Sequence, residues 1–376
     1  MKKILSLNLI CTLFFISSCA QKHGPIIQNE QSPNYIIETV INGIDIPWGM
    51  AFISKDEILV TEKSGILYRV FEGKKTEVSG LPEIYARGQG GLLDVATAPD
   101  FETSKLIFFT AGSSDGEGSG GHTALYSAKL EADKLTNLKQ LYKGKENSKK
   151  GQHWGSRIAF DDKGYIYFSI GDRGNREVNP QDITRDGGKI YRLNLDGSIP
   201  KDNPFYNEEG SKKAIYSFGH RNPQGMLKHP KTGKIWVHEH GPRGGDEINI
   251  IGAGKNYGWP KITYGINYSG TPITSDRDLP GLEQPFYYWV PSIAPSGMVF
   301  STSENYPKWK DNLLVGSLKF EYLELLVIEN NKVRERHKVL EGIGRIRDVK
   351  QGPDGLIYIG VEGKGILKII PKPPLN

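Results

Sequence analysis

Side chains able to do chemistry are concentrated between residues 219 and 260, where they alternate with glycines. Polar residues of these types stay exposed unless they have partners, and glycine lets the backbone approach a ligand closely. The apolar run 235–237 among them predicts a buried strand with a polar loop at each end. Such a strand would present a functional site at its ends. The polar side chains are Arg221, Asn222, His238, His240, Arg243, Asp246, Glu247 and Asn256.

A second candidate is His153, which precedes a predicted strand in the run QHWGSR. Histidine titrates near neutral pH and can therefore act as a general base. Arg157, four residues later, could orient this histidine or bind an anion. The alternative is that His153 lies in an ordinary surface loop.

Basic residues recur just before or after predicted strands in the second half of the chain, at Arg221, Lys319, Arg345 and Arg347. Taken singly, each is explained as a surface charge. If the fold brings them together they repel one another, and a ligand with several carboxylates would relieve the repulsion. The pattern therefore favours a polyanionic ligand.

Oxygen ligands for Ca²⁺ are available in the same region. Glu247 could bind the ion together with the carbonyl oxygen of Tyr257, and the bend at Gly241 and Pro242 offers further carbonyls. A salt bridge within the turn explains Glu247 equally well.

These residues must be positioned by short strands, because helical periodicity is scarce in this chain. A strand, a polar turn and a second strand recur six times at irregular spacing, which predicts an all-β, six-bladed β-propeller of four-stranded antiparallel blades. The alternative is a β-sandwich followed by a second β domain. The strand pairs are 47–52 with 57–60, 91–95 with 106–109, 156–160 with 165–169, 223–227 with 234–237, 295–300 with 312–315, and 346–349 with 356–359.

The first residues are typical of an export signal. A charged Lys2-Lys3 pair precedes an apolar run, and the sequence ISSC ends at Cys19, which resembles the lipid-acceptor cysteine of a bacterial lipoprotein. An ordinary secretory signal is the alternative. We expect a signal peptide over 1–18, a flexible tether over 19–35 and the propeller over 36–376. The prediction is a periplasmic or cell-envelope lipoprotein that meets the membrane through its lipid alone.

Composition limits the remaining classes of function. The 376 residues carry a net charge of +5, with both signs interspersed, so nothing indicates a nucleic-acid partner. Cys11 would leave with the signal peptide, and a single remaining cysteine excludes an internal disulfide.

Several long motifs resemble one family, the soluble sugar dehydrogenases that depend on pyrroloquinoline quinone (PQQ), and in particular the aldose branch of the glucose/sorbosone dehydrogenases. The resemblance covers about residues 36–371. It is carried by GQGGLLDVATAPDF, HWGSR, QDITRDGGKIYRLNLDGSIP, GHRNPQGM, EHGPRGGDEINII, GKNYGWP, APSGM and GRIRDVKQGPDGLIY.

The resemblance implies an activity and a role for each candidate residue. His153 would be the general base in the oxidation of an aldose at C1 to a lactone, with hydride passing to the quinone. Arg221 and Asn222 would lie beside the reactive part of PQQ. It further implies that Lys319, Arg345 and Arg347 hold the quinone carboxylates, that Gln89 and Tyr268 contact the site, and that Gly241, Pro242, Glu247 and Tyr257 bind Ca²⁺.

One departure from the family and two rival functions stand beside this interpretation. The glucose-specific branch has an acidic residue just before the catalytic histidine, whereas this chain has Gln152, so narrow glucose specificity is not expected. The rivals are a calcium-dependent sugar lactonase and a non-catalytic binding propeller. The electron acceptor, a quinone or a cytochrome, and the choice between monomer and homodimer are left open by the sequence.

Overall fold

The computed structural model describes residues 26–27 and 34–372, and nearly all of its regular structure is β-strand. The helices are α1 (Phe101–Ser104) and a 3-10 helix at Asn179–Gln181. No helix within the described ranges has the length and apolar character needed to cross a membrane. The predicted signal peptide and Cys19 lie outside the described residues.

Two short strands come first in the chain and pair with strands near its end. They are β1 (Ile26–Ile27) and β2 (Tyr35–Ile41). The first three blades then follow in order, each a sheet of four consecutive antiparallel strands. They consist of β3 (Pro47–Phe52), β4 (Glu57–Glu62), β5 (Ile66–Phe71) and β6 (Lys74–Glu77); β7 (Leu92–Thr97), β8 (Leu106–Ser113), β9 (His122–Glu131) and β10 (Lys134–Lys143); and β11 (Ile158–Phe160), β12 (Tyr165–Ile170), β13 (Lys189–Asn194) and β14 (Ile215–Phe218).

The last three blades repeat this plan, which confirms the predicted six-bladed propeller. All six predicted strand pairs form the first two strands of a blade. The remaining strands are β15 (Pro223–Lys228), β16 (Ile235–Glu239), β17 (Asp246–Ile250) and β18 (Tyr287–Trp289); β19 (Pro295–Phe300), β20 (Leu313–Ser317), β21 (Leu323–Glu329) and β22 (Lys332–Val339); and β23 (Ile346–Gln351), β24 (Ile357–Val361) and β25 (Gly365–Pro371).

The ring is closed by the beginning of the chain. Strand β2 pairs antiparallel with β25, so that Tyr35 lies opposite Pro371 and the sixth blade gains its fourth strand. Strand β1 pairs parallel with β22 at the outer edge of the fifth blade. The two ends of the domain are thereby held in one sheet, which removes an open edge between the first and last blades.

The core lies between the blades, because a twisted four-stranded sheet cannot bury both of its faces alone. Six clusters of buried apolar residues each join two neighbouring blades. Phe108 of the second blade, for example, belongs to one cluster with Phe168 and Tyr191 of the third. The stacked rings of Phe168 and Tyr191 lie 4.9 Å apart. This packing makes the ring of blades a rigid frame for the loops at its ends.

The central channel is crossed by a buried charge cluster centred on Arg157. Its Nη1 donates to Asp94 Oδ1 and to Asp348 Oδ1, each at 3.0 Å, and so ties the third blade to the second and the sixth. Its Nε donates to the carbonyl of Gln224 in the fourth blade. Arg157 therefore neither orients His153 nor faces an open anion site, as the sequence alone allowed. It holds four blades together beneath the functional loops.

Candidate active site

The inner strands of the blades all begin at the same end of the propeller, and a cavity of ≈ 480 Å³ lies there at the mouth of the channel. Its size falls within the roughly 300–1,000 Å³ that is usual for ligand pockets. Every blade contributes to the lining. The lining residues are Trp48, Lys63, Gly88, Gln89, Trp154, Gly155, Gln224, His240, Ala294, Leu318, Lys319, Arg345 and Arg347.

His153 lies beside this cavity and is held by a carboxylate. Its Nδ1 lies 2.6 Å from Asp172 Oδ1, and its side chain is 15% exposed. Asp172 is itself fixed, since its Oδ2 accepts from Trp259 Nε1 at 2.9 Å and its Oδ1 from the amide of Gly174 at 2.7 Å. With Nδ1–H donated to Asp172, Nε2 of the imidazole is left as the free base.

The electrostatic surroundings keep this pair in the form that a general base needs. Burial lowers the pKa of His153 below its usual value and the bond to Asp172 opposes this, while the nearby charge of Arg221 lowers it further. Burial alone would raise the pKa of Asp172, but the bonds from His153 and Trp259 bring it below its usual value. At neutral pH a neutral imidazole therefore faces an ionised carboxylate.

Gln89 and Asn222 shape the backbone around His153. Gln89 Oε1 accepts from the amide of His153 at 2.7 Å, and Asn222 Oδ1 accepts from the amide of Gly155 at 3.1 Å. His153 has a φ of 58°, in the left-handed region that non-glycine residues avoid. The two amide side chains thus hold the catalytic loop from neighbouring blades, so that a strained conformation persists at the site.

Arg221 extends from the fourth blade toward the same place. Its Nη1 donates to the carbonyl of His240 at 2.9 Å, and its guanidinium carbon lies 5.3 Å from the ring centre of Trp259. Its buried Nε has no partner among the described residues. Because its charge also acts on His153, the structure brings this predicted residue to the base.

A wall of positive charge lines the fifth, sixth and first blades of the mouth cavity. The predicted residues Lys319, Arg345 and Arg347 meet there, together with Lys63, which the sequence analysis did not single out. Only one carboxylate, that of Glu362, forms ion pairs with them: it bonds Arg345 Nε at 2.7 Å and also bonds Arg347. Burial lowers the pKa of Arg347, although Glu362 opposes the shift.

The loop at Gly241 and Pro242 is tightly folded against its own turn. Asp246 Oδ1 accepts from the amide of Gly241 at 2.8 Å, and its Oδ2 accepts from the amide of Ala294 at 2.8 Å. A Cβ at residue 241 would come within 2.2 Å of the Gly245 backbone, so only glycine fits this position. The geometry fixes the direction of the peptide groups that were predicted to bind calcium.

A second group of oxygens lies behind Arg221, around Glu247 and Glu239. Glu239 accepts from His220 Nδ1 at 2.8 Å and from the Arg221 amide at 2.5 Å. Burial, reinforced by the charge of Glu239, raises the pKa of Glu247 well above its usual value. The side-chain oxygen of Asn249 is buried there without a partner. No three His, Cys, Asp or Glu side chains within the described ranges are grouped as a metal site, so any cation here depends on carbonyl and amide oxygens as well.

Two further predicted residues occupy contrasting positions. Tyr257 lines a small cavity together with Arg221, Glu239 and Glu247, which places its backbone beside the carboxylates. Tyr268 is 74% exposed and does not line the mouth cavity. The structure therefore brings Tyr257 to the predicted site and leaves Tyr268 on the surface.

Comparison with known proteins assigns this arrangement to a family. Residues 44–368 match the family described as Glucose / Sorbosone dehydrogenase. The chain belongs to this family. It is 40% identical over 346 residues to the aldose sugar dehydrogenase YliI of Escherichia coli strain K12, covering 89% of this chain and 93% of that protein.

Two other relatives of this glucose/sorbosone dehydrogenase family member extend the comparison. The crystal structure of the soluble aldose sugar dehydrogenase of Escherichia coli in its apo form superposes with a TM-score of 0.85 at 38% identity, covering 90% of this chain and all of that one. Quinoprotein glucose dehydrogenase B of Acinetobacter calcoaceticus is 28% identical over 421 residues, covering 89% of this chain and 87% of that protein. The family assignment made from the sequence motifs is confirmed.

Three residues of the site were missed by the sequence analysis. Asp172 follows β12 in the run SIGDRGN, Lys63 follows β4, and Glu362 follows β24. All three lie just after the second strand of a blade, on the same end of the propeller as His153. Position within the repeat would have indicated them, since the same rule places Lys319 after β20.

Proposed function

We propose that this chain is an aldose sugar dehydrogenase that uses PQQ, with His153 as the general base in the oxidation of an aldose at C1 to the lactone. One observation carries the proposal: a neutral histidine held by a buried carboxylate faces a cavity whose far wall has four cations and one carboxylate. The names of the relatives, aldose sugar dehydrogenase and quinoprotein glucose dehydrogenase, agree with it.

The residues present fit PQQ, which carries three carboxylates. The surplus of positive charge at Lys63, Lys319, Arg345 and Arg347 has no matching acid among the residues that line the cavity, and arginine binds carboxylates bidentately. When bound, PQQ supplies the two-electron oxidant that accepts the hydride. The protein supplies the charged wall that binds and orients it.

The chain's own part in the chemistry is proton transfer. His153 Nε2 accepts the proton of the C1 hydroxyl, and the imidazolium that forms is stabilised by Asp172, 2.6 Å from Nδ1. Gln89 holds the backbone of the base through the 2.7 Å bond to the His153 amide. Arg221 places a positive charge near the base, which favours the neutral imidazole before the reaction.

Calcium binding is part of the same proposal. The carbonyls of Gly241 and Pro242 are held in a fixed turn by Asp246, and they are the donors for an ion beside the cofactor. Glu247 and the Tyr257 carbonyl are the donors at a second ion. The unpaired Asn249 oxygen and the raised pKa of Glu247 support a cation there, because a divalent ion would balance two adjacent buried carboxylates.

Two rival functions make different predictions from the same site. A calcium-dependent sugar lactonase needs a metal held by acidic side chains, and no such group of three occurs in the described part of the chain. A non-catalytic binding propeller has no need for a polarised histidine and carboxylate pair. The His153–Asp172 pair and the charge surplus support the dehydrogenase over both.

The cellular setting remains as the sequence predicts it. We propose a lipoprotein of the periplasm or cell envelope, anchored through Cys19 and passing electrons to a quinone or a cytochrome. Globomycin treatment of expressing bacteria tests the anchor: accumulation of the precursor supports it, and normal processing contradicts it. Sedimentation of the protein without residues 1–19 decides between monomer and homodimer.

Dye-linked oxidation of a panel of aldoses tests the activity, with PQQ and Ca²⁺ added together, singly or not at all. Turnover that requires both supports the proposal. Absence of turnover, with no change in PQQ absorbance on mixing, would leave the binding propeller as the better interpretation. Release of acid from a lactone without PQQ would favour the lactonase.

A further inference from the structure

A second cavity lies on the flank of the propeller, between the second and third blades, and has a volume of ≈ 240 Å³. We call it the flank cavity. It is separate from the mouth cavity, since the two share no lining residue. The segment 145–150 forms one side of it, just before the loop that carries His153. The residues used below are His122, Lys145, Glu146, Lys150, Arg173 and Arg185.

Four cations line the flank cavity without a carboxylate partner. Lys145, Lys150, Arg173 and Arg185 take part in no ion pair within 4.0 Å among the described residues, although many other basic residues of this chain do. The only acidic residue in the lining is Glu146, which is exposed to solvent. Four positive side chains therefore face a single, solvated negative one.

The nearby buried acids are already engaged elsewhere. Asp172, beside Arg173, accepts from His153 and Trp259. Asp182, whose pKa is lowered chiefly by the bonds from Thr184 although burial opposes the shift, acts on Arg185 only at a distance. Asp186 is bonded by Tyr142, Tyr191 and the Lys145 amide. None of these carboxylates neutralises the cavity.

Arg173 gives the flank cavity a built floor. It is 2% exposed, and its guanidinium carbon lies 3.7 Å from the ring centre of Trp154. Its Nη atoms donate to the carbonyls of Gln152, Lys150 and Gly121, none of which carries a formal charge. Burial lowers its pKa to about 10, so it remains protonated at neutral pH. A buried arginine that meets only carbonyls keeps an unbalanced charge.

His122 adds a neutral hydrogen-bond donor to the same lining. Its Nδ1 accepts from the amide of Thr123 at 3.0 Å, which places the ring proton on Nε2. Burial and the charge of Arg173 lower its pKa to about 3, so the ring stays neutral. No described residue accepts from Nε2–H. The histidine therefore offers a donor without a further charge.

We propose that the flank cavity is a binding site for a phosphoryl group. A phosphoryl group carries a charge of about −1.5 to −2 at neutral pH and three strong acceptor oxygens, which suit four cations and an N–H donor that converge from different elements. A carboxylate, with one charge and two oxygens, leaves most of this positive charge unbalanced. A volume of ≈ 240 Å³ also leaves room beyond the phosphoryl group for the molecule that bears it.

Calorimetric titration of inorganic phosphate into the purified chain, without PQQ and at constant ionic strength, tests the site. We expect saturable binding of one phosphate per chain. The double variant Lys145→Met, Arg185→Met should weaken it at least tenfold, because both side chains are exposed and have no partner that their loss would disturb. The matched control Lys139→Met removes an exposed lysine of β10 that does not line the cavity, and should bind as the parent does. Equal binding by the double variant, or no saturable binding by the parent, overturns the proposal.

The same titration with glucose 6-phosphate, glucose and glucuronate identifies the source of the group. Tighter binding of glucose 6-phosphate than of inorganic phosphate, with loss in the double variant, assigns the cavity to a sugar phosphate. Weaker binding assigns it to free phosphate. Glucuronate that binds as tightly as phosphate contradicts a phosphoryl site. None of these measurements needs PQQ or turnover, so their result is independent of the proposed dehydrogenase activity.

Discussion

Arg157 and Arg347 are joined by a hydrogen bond, with Arg157 Nη2 3.3 Å from the carbonyl of Arg347, yet their surroundings differ in charge balance. In the channel, Arg157 faces the buried carboxylates of Asp94 and Asp348, and Lys350 Nζ lies 4.0 Å from Asp348. Two cations there meet two acids. At the mouth, Arg347 shares the single carboxylate of Glu362 with Arg345, and Lys63 and Lys319 add further charge.

The contrast separates structural charge from functional charge. A buried arginine whose donors all end on protein groups stabilises the fold, and removing it leaves uncompensated carboxylates. A cluster with more cations than acids is unfavourable without a ligand, so its presence points to one. Substitutions in the two regions should therefore affect different measurements.

The largest effect is expected at the mouth, on turnover. His153→Ala removes the proton acceptor and should lower kcat by about 10²–10⁴-fold, the usual contribution of a positioned general base. PQQ should still bind, because the charged wall is intact. Steady-state kinetics with an absorbance titration of PQQ measures both. His337→Ala, on β22 of the fifth blade, is the control and should keep its activity. Turnover within tenfold of the parent would exclude His153 as the base.

In the channel, Arg157→Met should act on stability instead. Loss of the guanidinium leaves Asp94 and Asp348 buried together, which costs about 3–5 kcal/mol of unfolding free energy. Urea denaturation measures the change. Adding Asp94→Asn and Asp348→Asn to the variant should restore part of the loss, since it removes the unpaired charges. A single variant as stable as the parent would show that the cluster is not structural.

Much of the fold could be predicted from the sequence because each blade begins with a local strand, turn and strand. Six such pairs were visible, and all six form the inner half of a blade. The closing strand was not visible, since Tyr35 pairs with Pro371 at the other end of the chain and nothing local in 35–41 specifies that partner. The sign of the site was predictable for the same reason as the blades: basic residues recur at the same place in the repeat.

Pairing across blades could not be predicted. Asp172 bonds His153 from 19 residues away, and Glu362 bonds Arg345 and Arg347 only because β23 and β24 bring them together. Arg157 was misjudged because its neighbour in sequence is the catalytic loop, whereas its partners lie in three other blades. Sequence shows which residues share an end of the propeller, but not which of them meet.

Asp172→Asn should reduce activity less than loss of His153 and should also change its pH dependence. A charged hydrogen bond of this kind contributes roughly 1.5–3 kcal/mol, which corresponds to a fall in kcat of about tenfold to a hundredfold. The base works when neutral, and burial lowers the pKa of His153, so activity is lost only as pH falls below about 6.5. Asp172 raises that pKa, and its neutralisation should move the acidic limb to still lower pH. A pH profile of kcat/KM for both forms measures the shift; an unchanged or raised limb would contradict the pairing.

Arg347→Met is expected to have the smallest effect and to separate the two arginines most directly. Glu362 keeps its 2.7 Å bond to Arg345, and the Arg347 carbonyl still accepts from Arg157, so stability should hardly change. Affinity for PQQ should fall about tenfold, the worth of one charge-assisted bond that is partly screened by water. Reconstitution titrations measure affinity and urea denaturation measures stability, with Arg334→Met on β22 as the exposed control. A large loss of stability with unchanged affinity would place Arg347 with Arg157 as a structural residue and would remove the charged wall from the cofactor site.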